Sequence, residues 1–254
     1  MKPLIYFSYG MTKSASTLAY RLLWLTLEDA GFPQPKLPAS IVDEMHSVNF
    51  IGHLSDAQLS ELWEIAEARN YPVVVKTHSS PDPGMIDMLN DGRAIGSATY
   101  RDPRDIALSM LDHGEKARRK GHWAFKEYVE IDDTLPSIRG QLTCLEKWLR
   151  LPNILPLRYE DVAFDKPTTI KTYMSQLGVS RRIAPIVKQT SKNKYIQFNK
   201  GIHNRYLTEM SNDDSQRIAV EFAPLIDIIT NPPTTNPALS TTATLSRPAT
   251  GQPT

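Results

Sequence analysis

The first turn of the chain carries residues suited to binding an anion. The apolar run at residues 4–7 has the length of a buried strand. A lysine and three hydroxyl residues follow at the start of a predicted helix: Lys13, Ser14, Ser16 and Thr17. A helix N-terminus presents free N–H groups and a positive dipole end to an anion, and Lys13 adds a full charge. The turn therefore predicts a phosphate-like ligand, although the same residues would also suit a capped turn that binds nothing.

Polar side chains also follow three later apolar runs, at residues 71–77, 93–100 and 153–158. They are, in order, Lys76 and His78, then Arg101 with Ser109 in the helix after it, then Tyr159. In a parallel sheet the carboxyl ends of the strands open onto one ligand crevice, so these residues are expected to converge. Cations at three separate points predict a ligand with two separated anionic groups, and the tyrosine offers a face for a ring.

The alternation of strand and helix patterns predicts an α/β domain of three layers, with helices flanking a mostly parallel sheet. The predicted strands are the four apolar runs, and helices are expected at 14–30, 55–69, 102–111, 134–150, 165–178, 180–190 and 211–222, with a short one within 79–92. Three segments are less regular. Residues 41–53 are ambiguous but suit a short helix over the site, and residues 191–207 suit a loop. Residues 112–133, which are basic at 116–120, suit either a solvated loop or a lid over an anionic ligand.

Composition limits the cell compartment and the class of partner. The chain has 254 residues, a net charge of +1 and one cysteine, Cys144. Near-neutral charge implies no general affinity for nucleic acid, and one cysteine cannot form an intramolecular disulfide, which suits a reducing compartment. No apolar run is long enough to span a membrane, and a strand beginning at Leu4 leaves no room for a signal peptide. We therefore expect a soluble cytoplasmic protein, with one domain at residues 1–230 and a disordered Pro- and Thr-rich tail at 231–254.

Taken together, these motifs resemble those of the sulfotransferases that use 3′-phosphoadenosine 5′-phosphosulfate (PAPS), over most of residues 4–218. Residues 9–17 resemble the family's loop for the 5′-phosphosulfate, and residues 76–78 match its Lys-Thr-His, whose histidine is the catalytic base. Residues 101–109 resemble its 3′-phosphate segment, with the Arg-to-Ser spacing kept. Residues 159–161 and 190–191 resemble segments that contact adenine, and residues 199–201 resemble an Arg-Lys-Gly that closes over the 3′-phosphate.

The resemblance implies a set of cofactor-binding residues, which are Lys13, Ser14, Ala15, Ser16, Thr17, Arg101, Ser109, Tyr159, Thr190, Asn199, Lys200 and Gly201. The chain departs from the family pattern at several of these positions and beside them. Ala15 replaces a glycine, so we expect the loop backbone to stay at negative φ there. Asn199 replaces an arginine, for which Arg205 or the basic residues 116–120 are candidates to compensate. Lys192 stands where the family has an adenine-stacking phenylalanine, and the family's dimer segment is not recognisable.

The resemblance also implies a mechanism without a metal ion. His78 takes the proton of an acceptor hydroxyl or amine, a role that suits an imidazole neutral at pH 7. Lys13 stabilises charge on the bridging oxygen as the S–O bond breaks, and Lys76 orients the sulfuryl group. Ser16 and Thr17 hold the 5′-phosphate, Arg101 and Ser109 hold the 3′-phosphate, and 3′-phosphoadenosine 5′-phosphate (PAP) is released. The acceptor is expected to be a small molecule or a glycan or lipid hydroxyl.

Two other functions compete with this interpretation. One is a non-catalytic protein of the same fold that binds PAP, which the departures at Asn199 and Lys192 would suit. The other is a P-loop kinase, but the residue before Lys13 is threonine rather than the glycine of that signature. His46 and His53 are alternatives for contacting the acceptor. With Glu44 they also allow a metal site in principle, but no spacing fixes its geometry.

Overall fold

The computed structural model describes residues 3–42, 48–192 and 201–233, without the side chains of Ser191 and Lys192. Five strands form one sheet within these ranges: β1 (Ile5–Gly10), β2 (Phe50–Ile51), β3 (Val73–Thr77), β4 (Ala94–Tyr100) and β5 (Ile154–Arg158). The strand order is β2-β3-β1-β4-β5, and each neighbouring pair is parallel. The predicted α/β class is confirmed.

Eleven helices accompany the sheet within the described residues. They are α1 (Ser16–Asp29), α2 (Asp56–Arg69), α3 (Pro83–Asn90), α4 (Pro103–Lys120), α5 (Ile131–Leu149), α6 (Tyr159–Phe164), α7 (Lys166–Leu177), α8 (Ile183–Lys192), α9 (Tyr206–Glu209), α10 (Asn212–Glu221) and α11 (Ala223–Thr230). None of them combines the length and the apolar composition that are needed to cross a bilayer.

The central strand β1 is buried on both faces, because its side chains alternate between two apolar cores. Ile5, Phe7 and Tyr9 enter the core that α4 and α5 also line, and Tyr6 enters the core lined by α1 and α7. Both cores are closed by helices, which gives the predicted three layers. The strand therefore delivers the loop that follows it to the middle of the sheet's carboxyl edge.

Two segments differ from the elements predicted for them. Within 41–53, where we expected a short helix, residues 50–51 pair with β3 as a fifth strand, and residues 43–47 lie outside the described ranges. Within 112–133, expected as a loop, residues up to Lys120 continue α4. The helix continues through Gly114 and ends at Gly121, which has φ 70° in the left-handed region.

The later helices also depart from their predicted bounds. α5 begins at Ile131 instead of Thr134, because Glu130 and Asp133 form a capping box one turn earlier. The last predicted helix ends at Phe222, but a further helix, α11, follows it and buries Leu225. The predicted tail lies outside the described residues from position 234 onward.

Candidate functional site

The loop between β1 and α1 has a strained backbone. Lys13 has φ 69° and Ala15 has φ 64°, both in the left-handed region. The expectation that residue 15 stays at negative φ is therefore wrong. Each such residue costs about 1–2 kcal/mol when it carries a Cβ, so contacts from the rest of the fold must impose the conformation.

Contacts within the loop and with β4 and α5 hold it in place. The Ser14 hydroxyl donates to the Met11 carbonyl at 2.6 Å and lies 2.9 Å from Thr99 Oγ1, at the end of β4. The Thr12 N–H donates to Gln141 Oε1 on α5 at 2.5 Å. The end of β4 and the helix α5 thus both contact the loop. The Ser14 hydroxyl, which we predicted to bind the cofactor, is used to shape the loop.

The start of α1 leaves donors available for a ligand. The first N–H groups of a helix have no partner within it, and within the described residues those of Ser16 and Thr17 make no hydrogen bond. The hydroxyls of these two residues likewise have no partner there. Ser16 is buried and Thr17 is half-buried. Four donors therefore meet at the positive end of the helix dipole, as an anion site requires.

His78 and Lys76 form a hydrogen-bonded pair at the end of β3. His78 Nδ1 lies 2.5 Å from the Gly10 carbonyl, and Nε2 lies 3.0 Å from Lys76 Nζ. A carbonyl only accepts, so Nδ1 carries the proton, and the Nε2 lone pair accepts from the lysine. The nitrogen that faces Lys76 is therefore the basic one. The ring of Phe50, 5.2 Å from Lys76 Nζ, covers the pair.

Both lysines are buried enough for the charged amine to be disfavoured. Burial lowers the pKa of Lys76, which is 4% exposed, to about 8. Burial, followed by repulsion from Lys116 and Arg101, lowers the pKa of Lys13 to about 8, and Asp112 opposes the shift. Each amine is consequently close to its titration point just above neutral pH. A bound anion would hold both in the charged form.

The side chain of Lys13 is engaged by α4 and by the loop after it. Its Nζ lies 2.9 Å from His113 Nδ1 and 4.7 Å from the centre of the Phe125 ring. His113 and Phe125 are themselves in edge contact, with 4.7 Å between ring centres. Neither residue belongs to the family motifs in the sequence. His113 lies four residues after Ser109, so their common helix face was the available signal.

Arg101 is buried at the end of β4 among four contacts. Its guanidinium donates to Asp105 Oδ2 at 3.0 Å, to the Ile202 carbonyl at 3.0 Å and to the Lys13 carbonyl at 3.3 Å. It also stacks on the Tyr159 ring at 3.7 Å. Its Nε is buried and has no hydrogen-bond partner within the described residues. An orphaned guanidinium N–H is costly unless a ligand satisfies it.

The other residues predicted for the 3′-phosphate are only partly described. Ser109 lies in α4, 4% exposed, two turns after Arg101. Gly201 has φ 63° and precedes the Ile202 carbonyl that Arg101 contacts, so this segment does reach the arginine. Asn199 and Lys200 lie outside the described residues.

The predicted adenine contacts are buried by the protein itself. Tyr159 is 7% exposed, its ring faces Arg101, and burial raises the pKa of its hydroxyl. Thr190 is 1% exposed and its hydroxyl donates to the Val187 carbonyl at 2.7 Å. The side chain of Lys192 is not described. The Tyr159 ring therefore packs against the guanidinium of Arg101.

The proposed compensating cations are largely held by other contacts. Arg205 is 2% exposed, contacts Asp112 at 2.8 Å and binds Glu209 through two hydrogen bonds. Arg118 donates to two carbonyls of the loop after α4, and Arg119 pairs with Glu115. Two carboxylates thus hold Arg205, and its role in place of the missing arginine stays a prediction.

The possible metal site receives no support from the described residues. His53 is 72% exposed and its Nδ1 lies 2.7 Å from Asp82 Oδ1. Within the described ranges no three histidine, cysteine or carboxylate side chains are grouped to hold a metal ion. Glu44 and His46 lie outside those ranges.

A family model described as a sulfotransferase domain matches residues 6–220. A search of curated protein sequences finds no matching relative.

Several solved structures share the fold. Retinol dehydratase in complex with androsterone and PAP is 17% identical, with a TM-score of 0.57 over 89% of this chain and 81% of that one. The mouse sulfotransferase SULT7A1 complexed with PAP is 14% identical, with a TM-score of 0.55 over 90% of this chain and 84% of that one. The TM-scores show that these proteins share the fold of this chain, and at identities this low they show the fold alone.

Proposed function

This chain belongs to the sulfotransferase family, and we propose that it moves the sulfuryl group of PAPS to a hydroxyl or amine acceptor and releases PAP. The observation that carries the proposal is the Lys76–His78 pair, with its basic nitrogen fixed beside the anion loop at 3.0 Å from the lysine. The family match removes the kinase alternative.

The residues present fit a ligand with two anionic ends. The N–H and hydroxyl groups of Ser16 and Thr17 suit the 5′-phosphate, with the charge of Lys13 beside them. Arg101, whose buried Nε has no partner in the described part of the chain, suits the 3′-phosphate together with Ser109. Arg101 donates to the Lys13 carbonyl at 3.3 Å, so the second group of donors lies next to the loop that carries the first.

The proton transfer follows from the fixed tautomer of His78. The Gly10 carbonyl holds Nδ1–H, so Nε2 is the nitrogen that takes a proton once an acceptor displaces the Lys76 amine. Glycine is required at position 10, because a Cβ there would lie 2.0 Å from Thr99 Oγ1 and 2.6 Å from Ser16 Cβ. Gly10 thus lies close to the start of α1, and because its carbonyl binds His78 Nδ1, the base lies next to the loop.

Charge stabilisation is the second contribution of the protein. When bound, PAPS supplies an activated sulfuryl group, and its S–O bond to the 5′-phosphate breaks as the acceptor attacks. Lys13 offers a positive charge to the departing phosphate oxygen, and Lys76, released from His78, offers one to the sulfuryl oxygens. Such preorganised charges typically contribute a few kcal/mol each to the transition state.

The acceptor and the location are proposed less narrowly. A small molecule with a hydroxyl or amine fits the chemistry, and a glycan or lipid hydroxyl fits it equally. A single cysteine suits the cytoplasm, where thiols stay reduced. A panel of acceptors with radiolabelled PAPS would identify the class.

The test of the base is the variant His78→Ala. We expect transfer to fall at least about 100-fold, the usual contribution of a general base, while PAP affinity stays within about twofold. Calorimetric titration with PAP and a labelled transfer assay measure the two quantities. His53→Ala, at a histidine that is exposed and paired with Asp82, is the control for cofactor binding and should retain PAP affinity. Wild-type turnover in His78→Ala would refute the assignment.

The same assays separate catalysis from simple PAP binding. A wild-type chain that binds PAP yet transfers to no acceptor of a broad panel would support the non-catalytic alternative. Arg101→Ala should weaken PAP binding, with the exposed Arg119→Ala as its control. Unchanged PAP affinity in Arg101→Ala would refute the 3′-phosphate role.

A further inference from the structure

A second lysine–histidine pair lies beside the loop, and the proposed mechanism does not use its histidine. Lys13 Nζ lies 2.9 Å from His113 Nδ1, and the Phe125 ring covers both side chains. An ammonium group can only donate, so His113 accepts through an unprotonated Nδ1 and carries its proton on Nε2. The pair is therefore a protonated lysine held by a neutral imidazole.

We propose that His113 is a positioning residue, which keeps the amine of Lys13 protonated and close to the loop before the cofactor binds. The inference rests on the proposed function, because it assigns His113 a role toward the same anion. It is distinct from the base assignment, since His113 contacts Lys13 and not His78.

The fold builds this pair through a close approach of two segments. A Cβ at Gly114 would lie 2.5 Å from the Phe125 carbonyl and 2.6 Å from the Tyr128 carbonyl, so glycine alone lets the segment cross α4 there. Arg118 donates to the Tyr128 carbonyl at 2.7 Å and anchors it. Phe125 is held at φ 68°, in the left-handed region. The result is an aromatic cover over the amine.

That cover creates the need for an acceptor. A buried ammonium without a hydrogen-bond partner is strongly disfavoured, and a ring face replaces lost water only in part. The charges around Lys13 do not supply the missing stabilisation, because Lys116 and Arg101 repel the ammonium and the attraction of Asp112 is smaller than either effect. His113 is the neutral acceptor within hydrogen-bond distance.

The surroundings of His113 keep it in the accepting form. Burial first, then the charges of Lys13, Lys116 and His122, lower the pKa of His113 to about 4. The imidazole therefore stays neutral across the physiological range. Its Nδ1 lone pair remains available to Lys13 whenever the lysine is charged.

The expected consequence is a change in the pH range over which PAP binds. A hydrogen bond donated by a charged group stabilises that group by an amount equivalent to about one pKa unit or slightly more. Its loss should therefore lower the pKa of Lys13 by about one unit. PAP affinity should then begin to fall about one pH unit earlier on the alkaline side. At pH 8 this corresponds to a several-fold loss of affinity.

Calorimetric titration of PAP between pH 6 and pH 10 tests this with two variants. His113→Phe keeps a ring and removes the acceptor, so its alkaline limb should move to lower pH by about one unit. His113→Asn keeps an acceptor oxygen near the position of Nδ1, so its profile should stay close to that of the wild type. Coincident profiles for His113→Phe and the wild type, or equal shifts in both variants, would overturn the proposal.

A background in which arginine replaces Lys13 isolates the effect of the Lys13–His113 pair. In Lys13→Arg the side chain stays charged at every pH tested, so adding His113→Phe should produce no further shift. A shift that persists there would show that His113 acts on another group. If His113→Phe fails to fold, His113→Leu replaces it, and ring nitrogen NMR of the wild type gives an independent measurement. A His113 that protonates near its ordinary pKa would contradict the proposal. Absence of PAP binding by the wild type at every pH would instead refute the proposed function.

Discussion

Two ion pairs of the same spacing offer a direct test of how Arg101 is held. Arg101 and Asp105 are four residues apart at the start of α4, 5% and 1% exposed, with 3.0 Å between their charged atoms. Glu115 and Arg119 are also four residues apart on α4, but they are 57% and 77% exposed at 2.8 Å. Removing the acid from each pair therefore compares the loss of a buried ion pair with the loss of an exposed one at the same sequence spacing.

The two losses should differ greatly. Removing one partner of a buried ion pair costs roughly 3–5 kcal/mol, because the remaining charge stays buried. Asp105→Ala also frees the Tyr206 N–H that donates to Asp105 Oδ1 at 3.1 Å. Arg101 keeps the carbonyls of Lys13 and Ile202 as acceptors, so we expect the lower end of the range, about 3 kcal/mol. Glu115→Ala should cost about 0.5 kcal/mol or less.

Urea denaturation followed by circular dichroism measures both free energies of unfolding. For a chain of this size, about 3 kcal/mol corresponds to a melting temperature lower by roughly 6–12 °C. Adding Arg101→Met to Asp105→Ala should recover part of the loss, because the unpaired charge is gone. Equal losses for Asp105→Ala and Glu115→Ala, or no recovery in the double variant, would refute the account of Arg101 as a buried charge that depends on Asp105.

Three further variants test the lysine and the loop. Burial depresses the pKa of Lys76 to about 8, so the charged lysine destabilises the fold below pH 8, and stability should rise between pH 8 and about 10.4. Lys76→Met should raise the free energy of unfolding at pH 7 by on the order of 3 kcal/mol, flatten that rise in urea titrations and abolish transfer. An unchanged pH dependence would contradict the assignment. Ala15→Gly should keep or raise the melting temperature, whereas Ala15→Val should lower it by at least about 2 °C, since branched residues tolerate φ 64° poorly. Calorimetry giving the reverse order would argue against the left-handed loop.

The alternation of strand and helix patterns was enough to predict the α/β class, because period and β-branching are local properties of the chain. It also placed Lys13, Lys76 and Arg101 at one edge, since parallel strands present their carboxyl ends together. The family motifs lie on those same ends, and the family was identified from them. Element bounds were less predictable. The two residues of β2 are strand only because β3 lies beside them. The start of α11 carries one local signal, Pro224 in its first turn, but it follows α10 without a separating loop.

Tertiary contacts alone decided the state of each side chain in the site. Ala15 and Lys13 adopt positive φ because Thr99 and Gln141, far away in sequence, hold the loop. The amine of Lys13 pairs with His113 because the fold brings α4 against the loop across 100 residues. Residue types and spacing specify which groups reach an edge. Which of them pair there depends on burial and on distant neighbours, since a buried donor takes whichever acceptor the packing brings within reach.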